Sequence, residues 1–159
     1  FSGNLVGSYS DNDISNTVEA FLENATVDAN GDLSLTADDT SKIYSIGGAI
    51  VATISTGGTT GNAAAGVGAT VATNKISNTI RSYISNSQVN TDDTKTTSGN
   101  VTLTTTSNSD ILAIGIAASA SITSSTGNRF SLGIYGAVSS NTIKNSVGAF
   151  VTNVSEVNV

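Results

Sequence analysis

One eleven-residue motif occurs three times in this chain and constrains its fold more than any other feature. The copies begin at Ile14, Ile76 and Ile143, and each has Asn at its third position, an aromatic residue at its eighth and Asn at its eleventh. The starting positions differ by 62 (76 less 14) and then by 67 (143 less 76). Self-similarity at a long and nearly fixed spacing predicts a repeat protein, in which each unit completes its core against its neighbours.

Two further blocks repeat, both with an offset of 68 in position number. The segment Gly31–Thr36 matches Gly99–Thr104, and Ile43–Ile54 matches Ile111–Ile122. The offset changes because the hydrophilic residues 92–97 have no counterpart in the first repeat, and we expect this insertion to form a surface loop. The sequence predicts a single array over residues 1–159, with repeat 1 at about 6–66, repeat 2 at about 67–134 and a partial repeat 3 at about 135–159.

Apolar residues within these blocks recur with a period of two, which is typical of strands. In the first motif, Ile14, Asn16 and Val18 share one face. The Gly47-Gly48 pair argues against a helix, because each Gly costs a helix about 1 kcal/mol relative to Ala. Strand centres are predicted near residues 18, 35, 50, 69, 80, 102, 118, 136 and 147, so that a complete repeat holds about four strands.

Strands about 16 residues apart, with no helices between them, favour an all-β parallel β-helix, also called a β-solenoid. An extended β-sandwich of hairpins is the alternative, because the Gly-rich segment 56–62 is able to reverse the chain. We expect a repeat of this length to hold two or three coils. With that geometry, equivalent asparagines of successive repeats do not stack directly on one another.

The composition excludes several function classes. Acidic residues outnumber basic ones by 12 to 6, so the surface repels nucleic acid phosphates and anionic lipid headgroups. The chain has no His and no Cys, which leaves no ordinary nucleophile and base pair and no transition-metal cluster. Its apolar runs are shorter than the roughly 20 residues that a membrane helix needs. We therefore expect no enzyme activity, no nucleic acid partner and no membrane insertion.

The segment Ala25–Ala37 resembles the coil consensus of filamentous-haemagglutinin-type adhesins, with alternating aliphatic residues after Asn30-Gly31. The repeated Asn-Thr-Val/Ile motif with its aromatic-aliphatic pair is similar to repeats of giant leukotoxin-like bacterial surface proteins. The resemblance extends over nearly the whole chain. It implies a right-handed parallel β-helix, an extracellular or cell-surface location, and a role as a stalk or an adhesive surface. Because the chain does not begin with Met, we expect it to be a segment of a longer protein.

Asn16, Asn78 and Asn145 are predicted to be structural repeat positions. They lie on the apolar face, where an amide without a hydrogen-bond partner costs about 1–3 kcal/mol. We therefore expect each of them to find a partner, for example by capping a neighbouring turn.

Phe21, Tyr83 and Phe150 lie on the opposite face of the motif and mark a possible interaction face. Exposed aromatic side chains are suited to stack on sugar rings or to pack against a second copy of the chain. The alternative is that a neighbouring strand or loop of the same chain covers them.

Acidic residues cluster at the predicted turns. Asp28, Asn30 and Asp32 have the alternate spacing that suits calcium, which takes about six to eight oxygen ligands. Asp and Asn also favour turns without any ion, so a solvated turn is the alternative here and the expectation for Asp38-Asp39. No other cofactor is expected.

These observations predict a structural or adhesive repeat segment of a large extracellular surface protein or of a self-assembling fibre. The expected partners are other copies or neighbouring repeats of the same protein, and also glycans or a partner cell surface. The alternative function is the stalk of a secreted toxin, or a polysaccharide-acting β-helix enzyme.

Overall fold

A computed structural model describes the chain except for residues 29–30, 58, 60, 91–98, 155 and 159. The predicted surface loop at 92–97 therefore lies outside the described residues. The residues that the structure describes form strands and turns without a helix. The strands are β1 (Ser2–Ile14), β2 (Thr17–Glu23), β3 (Thr26–Asp28), β4 (Leu33–Asp39), β5 (Lys42–Thr56), β6 (Asn62–Ile76), β7 (Thr79–Ser85), β8 (Gln88–Asn90), β9 (Val101–Ser107), β10 (Asp110–Ser124), β11 (Arg129–Ile143), β12 (Ser146–Thr152) and β13 (Glu156–Asn158).

Strands at equivalent positions of successive repeats pair side by side and in parallel. β7 lies between β2 and β12, with Thr79 opposite Thr17 on one side and Ser146 on the other. β4 pairs with β9, with Leu33 opposite Val101. The register offsets are 62 (79 less 17), 67 (146 less 79) and 68 (101 less 33), the same as in the sequence repeat. One repeat is therefore one coil.

This pairing confirms the predicted fold class, an all-β parallel β-helix. The β-sandwich of hairpins is wrong as an alternative, because the registered strands pair in parallel rather than antiparallel. The expectation of two or three coils per repeat is also wrong. A single repeat already returns the chain to an equivalent position in the next coil.

Each of the nine predicted strand centres falls within a strand. The strands that the sequence pattern misses are β1 and the three-residue strands β3, β8 and β13, so a complete repeat holds five strands rather than about four. Three residues are too few to display a period. In β1 the alternation is obscured by Gly, Ser, Asn and Asp, which occupy nine of its positions between Ser2 and Asp13.

The chain forms two compact units, and every repeat contributes to both. Most of the first unit comes from the sheets β1-β6-β11 and β5-β10, and most of the second comes from the other three sheets. The first unit comprises Phe1–Asn12, Ile43–Lys75 and Ile111–Thr142, and the second unit comprises Asp13–Lys42, Ile76–Asp110 and Ile143–Val159.

The core of the second unit is aliphatic. Ile80, Ile84 and Val89 of the middle coil are fully buried. In the strand register, Ile80 lies between Val18 and Val147, so that equivalent aliphatic side chains follow one another from coil to coil. Burial of a side chain of this size stabilises a fold by about 1.5–3 kcal/mol, so each of these positions contributes substantially to the stability of this unit.

The core of the first unit is built from small side chains instead. Strand β5 buries alternate residues, among them Ala49 and Val51, and β6 buries Ala64 and Ala72. The two sheets approach so closely that hydroxyl groups reach the opposite backbone, as Thr53 Oγ1 does by donating to the carbonyl of Ala65 at 3.2 Å. Ser119 Oγ similarly donates to the carbonyl of Gly66 at 2.8 Å.

Because the two sheets of the first unit lie close together, the large aliphatic residues of β5 and β10 point away from the core. Ile46 and Ile50 alternate with the buried positions of β5 and point outward, with 77% and 75% of their surfaces exposed. Leu112 and Ile116 of β10 point outward in the same way. The first unit therefore inverts the usual arrangement, with small residues inside and aliphatic residues outside.

The last Asn of the motif turns the chain at the end of β2, β7 and β12. Asn24, Asn86 and Asn153 have φ angles of 52°, 46° and 50°, in the left-handed region. Asn is among the few non-glycine residues that adopt this conformation readily. The recurrence of Asn at this position thus has a backbone cause.

We predict that Gly66→Ala lowers the free energy of unfolding by about 1–3 kcal/mol, the usual cost of overpacking. An added Cβ at Gly66 would lie 2.7 Å from Ser119 Oγ and 3.1 Å from Val51 Cγ1. Gly136→Ala is the matched control, because a Cβ there has no atom within 4 Å. The control variant should be neutral or slightly more stable. Urea unfolding followed by circular dichroism measures both, and equal effects of the two substitutions would contradict a tightly packed interior.

Candidate functional site

Asparagine side chains form a ladder through the first unit. Asn12 Nδ2 donates to Asn74 Oδ1 at 2.8 Å, and Asn74 Nδ2 donates to Asn141 Oδ1 at 2.8 Å. The three residues come from three successive coils, with sequence offsets of 62 and 67. Asn74 is 1% exposed, and its amide is satisfied by its own repeats on either side.

A second ladder runs through the second unit and joins the backbone to side chains. The N–H of Asn16 donates to Asn78 Oδ1 at 2.9 Å, and the N–H of Asn78 donates to Asn145 Oδ1 at 3.0 Å. The expectation that these asparagines do not stack repeat on repeat is therefore wrong. It failed because it assumed two or three coils per repeat.

The Nδ2 groups of this second ladder point to polar residues at the ends of β4 and β9. Asn78 Nδ2 donates to Asp39 Oδ2 and to Ser41 Oγ, both at 2.9 Å. One coil later, Asn145 Nδ2 donates to the hydroxyls of Ser107 and Ser109, both at 2.8 Å. Asp39 pairs with Ser107 in the strand register. The cluster around Asn78 therefore recurs around Asn145 one coil later, but only the cluster around Asn78 contains a carboxylate.

Asp39 is 5% exposed, which corrects the expectation of a solvated turn at Asp38-Asp39. Its carboxylate accepts hydrogen bonds from Ser41 Oγ at 2.7 Å, Asn78 Nδ2 at 2.9 Å and Ser109 Oγ at 3.1 Å. Burial by itself raises the pKa of Asp39, but these hydrogen bonds and one from the Ser41 backbone hold it below the ordinary value of 3.8. The group is a buried, charged acceptor.

A sequence signal for this burial was present. Leu33, Leu35 and Ala37 alternate along β4 with their side chains inward, and the same period of two places Asp39 on the inward face. Asp favours turns, so its residue type predicts an exposed turn at this position, whereas the period of two predicts an inward side chain. The period of two is correct here.

The aromatic residues of the motif form a stack across the three coils of the second unit. The ring centroids of Phe21 and Tyr83 are 5.3 Å apart and those of Tyr83 and Phe150 are also 5.3 Å apart, with interplanar angles of 10° and 4°. Phe21 and Phe150 remain 50% and 42% exposed. The structure thus brings together the three predicted residues on an outward face.

This stack uses both faces of Tyr83 for its neighbours. A sugar ring stacks on an aromatic face, so Tyr83 offers a glycan only its edge, and Phe21 and Phe150 each retain one face. Burial, together with the charges of Glu19 and Glu23, raises the pKa of Tyr83 above its ordinary value of 10.0, and Arg81 acts in the opposite direction. The phenol is therefore neutral at physiological pH.

The residues predicted for calcium do not assemble a site in the described part of the chain. Asp32 Oδ1 accepts hydrogen bonds from the backbone N–H of Asn100 at 2.7 Å and from its Nδ2 at 3.3 Å. Asp28 is exposed, and Asn30 lies outside the described residues. Within those residues no three acidic side chains come close enough to hold a metal ion. Calcium binding stays a prediction.

An open depression of about 430 Å³ lies at the end of the first unit, next to the turns that follow β5 and β10. It contains a single charged side chain among its lining residues, and Nε of that residue, Arg129, donates to the carbonyl of Ser125 at 2.7 Å. Part of the cationic group is therefore already engaged within the turn.

No protein-family model, curated protein or solved structure matches the chain. Nor do the described residues include a helix long and apolar enough to cross a membrane.

We predict that Asn78→Ala lowers the free energy of unfolding by about 2–4 kcal/mol, because it leaves a buried carboxylate and a backbone N–H with one partner fewer. Asn16→Ala is the control at the equivalent position of the first coil. Asn16 is exposed, and its Nδ2 makes one long bond of 3.4 Å to Ser41 Oγ. Its loss should cost less than about 1 kcal/mol. Similar losses in the two variants, measured by chemical unfolding, would argue against the ladder as a source of stability.

The lowered pKa of Asp39 predicts a specific loss of stability in acid. Its contribution is complete above pH 3.8, its ordinary pKa, and disappears as the pH falls through the lower folded-state value. The melting temperature of Asp39→Asn should therefore be below that of the wild type at pH 7, with the difference shrinking between pH 4 and pH 2. A difference independent of pH over that range would show that the charge of Asp39 does not stabilise the fold.

Proposed function

We propose that this chain is a structural, adhesive repeat segment of a large extracellular surface protein or self-assembling fibre. In this role the coils stack end on end and extend the array. The observation that carries the proposal is the direct stacking of equivalent residues in successive coils, in the strands, the asparagine ladders and the aromatic stack. The resemblance to bacterial adhesin repeats supports the same role and the extracellular location.

The direction of the hydrogen bonds gives each ladder two unlike ends. In the second unit, each backbone N–H donates toward the following coil, from Asn16 to Asn78 and from Asn78 to Asn145. A preceding coil would therefore donate to Oδ1 of Asn16, and a following coil would accept from the N–H of Asn145. Ends that differ in this way are complementary to each other rather than to themselves, which favours open, head-to-tail growth.

The ladder in the first unit has the same direction. Asn12 donates to Asn74, and Asn74 donates to Asn141, so the donor side faces the following coil again. In both ladders, therefore, the donor groups at the end nearest the third coil are placed to bind the acceptors of a further coil. A continuation of the repeat in one chain and a second copy of the chain both meet this requirement.

The outer strands of the sheets also favour end-on growth. β2 and β12 are the outer strands of their sheet, and an outer strand presents backbone groups that another strand is able to pair with. Ser146 donates its N–H to the carbonyl of Asn78, directly before β7, so by the alternation of parallel strands the N–H of Val147 points away from β7. Val147 is therefore the place at which to interrupt end-on growth.

Cell adhesion is the second part of the proposal. The acidic surface, with a net charge of −6, and the scarcity of basic residues disfavour nucleic acid, and the exposed ring faces at the ends of the aromatic stack suit glycans or a further copy. Neighbouring repeats of the same protein remain the first expected partner.

We predict that the purified chain associates end on end and that Val147→Pro prevents this. Proline removes the outward N–H and is tolerated on an edge strand. Sedimentation velocity over a concentration series and negative-stain electron microscopy should show lengthening particles for the wild type and short particles for the variant.

Val147→Thr is the matched control, because threonine has the β-branched shape of valine and keeps the N–H. Particles of this variant should lengthen with concentration, as those of the wild type do. A wild-type chain that stays monomeric over the whole concentration range, or a Val147→Pro variant that still lengthens, would count against end-on stacking and hence against the proposed function.

A further inference from the structure

The outward side of the β5-β10 sheet forms a continuous apolar surface, which we call the aliphatic face. Its positions alternate with the buried positions of both strands, and equivalent residues of the two coils lie in neighbouring rows. The eight large side chains on it are between 43% and 77% exposed. The aliphatic face consists of Tyr44, Ile46, Gly48, Ile50, Ala52 and Ile54 from β5 and of Leu112, Ile114, Ile116, Ala118, Ala120 and Ile122 from β10.

The aliphatic face carries no charged residue at any of its twelve positions. At about 3.4 Å per residue and about 4.8 Å between strands, it measures roughly 37 Å by 10 Å in projection, before the side-chain relief is counted. The largest apolar patches on ordinary monomers are often interaction sites. This surface is long and periodic, so a partner that covers it must also be long.

A second copy of the chain fits this description better than a lipid surface does. The chain has a net charge of −6, the aliphatic face has no Lys, Arg or Trp to engage headgroups, and Lys42 beside it on the same side of β5 is paired with Asp110 at 3.6 Å. Two aliphatic faces in contact cover roughly 740 Å² in projection, and side-chain relief brings the area removed from water toward the roughly 1,000 Å² at which specific interfaces begin. Each additional coil would enlarge this area, so the interface strengthens along an extended array.

The order of large and small residues makes the middle of the aliphatic face complementary to itself. A two-fold axis parallel to the direction of coil stacking would reverse the strands and place residue 46 opposite 52 and residue 48 opposite 50. Ile46 then meets Ala52, and Ile50 meets Gly48, so a large side chain faces a small one in each case. The same holds on β10, where Ile114 meets Ala120 and Ile116 meets Ala118. At the two ends of the aliphatic face a large side chain meets another large one, because Tyr44 lies opposite Ile54 and Leu112 lies opposite Ile122.

We propose that two copies of the chain pack laterally through their aliphatic faces, related by a two-fold axis along the stacking direction. This arrangement keeps the two copies pointing the same way, so that lateral pairing is compatible with growth of each copy by further coils. The inference rests on the proposed function in that its partner is another copy of the chain. It assigns a different surface, however, from the one that supports end-on stacking.

Lateral pairing is tested in the Val147→Pro background, in which end-on growth is blocked. Sedimentation equilibrium should show a monomer–dimer equilibrium, and adding Ile50→Lys should raise the dimer dissociation constant at least about tenfold, because the interface would bury an unpaired charge. Val71→Lys is the matched control, since Val71 points outward from β6 in the other sheet of the same unit and is also exposed. It should leave the dimer intact.

The two-fold register is tested by mixing charged variants. Ile46→Lys and Ala52→Asp should each be monomeric alone, whereas their mixture should form a heterodimer in which Lys at 46 faces Asp at 52 and the second contact stays Ala52 to Ile46. A mixture of Ile46→Lys with Tyr44→Asp should not associate, because in this register those positions are roughly 27 Å apart along the strand. Circular dichroism verifies that each variant is folded.

These measurements separate the failure of lateral pairing from the failure of the proposed function. If wild-type chains lengthen end on end but the Val147→Pro chain is monomeric at all concentrations, lateral pairing is overturned and the proposed function stands. A dimer that survives Ile50→Lys and dissociates with Val71→Lys would also overturn it.

Monomers that bind neutral phosphatidylcholine vesicles, and lose this binding with Ile50→Lys, would assign the aliphatic face to lipid. Should the Val147→Pro variant fail to fold, the Ile50→Lys substitution in the wild-type chain must narrow the particles without shortening them, and unchanged width overturns the proposal.

Discussion

Parallel strand pairing between residues one repeat apart is the interaction on which the rest of the structure depends. Thr79 lies opposite Thr17 and Ser146, and this register brings the side chains at equivalent repeat positions side by side in successive coils. Amides then meet amides and rings meet rings, as in the stack of Phe21, Tyr83 and Phe150. A slip by one residue would turn every inward side chain outward, so the buried columns and the ladders fix the register together.

The polar groups inside the coils are compatible with burial because the repeat supplies their partners. Asn74 and Asn78 are almost completely buried, and each is hydrogen-bonded to asparagines at the equivalent positions of the adjacent coils. In the described residues, no buried side-chain nitrogen or oxygen lacks a hydrogen-bond partner. Asp39 departs from strict repetition, since its counterpart is Ser107, and its charge is stabilised by three side-chain donors. A strictly repeated carboxylate would place like charges about 4.8 Å apart, which is unfavourable.

Much of the fold was predictable from the sequence, because both the long repeat and the period of two are direct consequences of the geometry. The nine predicted strand centres depend on that period. The number of coils per repeat was not predictable from it, since periodicity fixes the strands and leaves open how far the chain travels before it returns. Asp39 and Ser41 were missed because their residue types are common in turns. The inward side of β5 was also ambiguous, because Ile46 and Val51 on opposite faces are both apolar, and only the packing of small residues between two close sheets decides between them.

The long separation in sequence between paired strands also governs the order in which such a chain is able to fold. The first coil has no partner for its strands until the second repeat is available, so closure of a loop as long as a whole repeat must precede the first ladder contact. Once two coils have paired, each later repeat adds to an edge that already exists and needs no new nucleus. A chain that emerges from its N-terminus, during synthesis or export, would therefore stay unfolded through its first repeat and then grow coil by coil. The length of the repeat thus sets the height of the initial barrier, and the order in which the repeats emerge sets the direction of assembly.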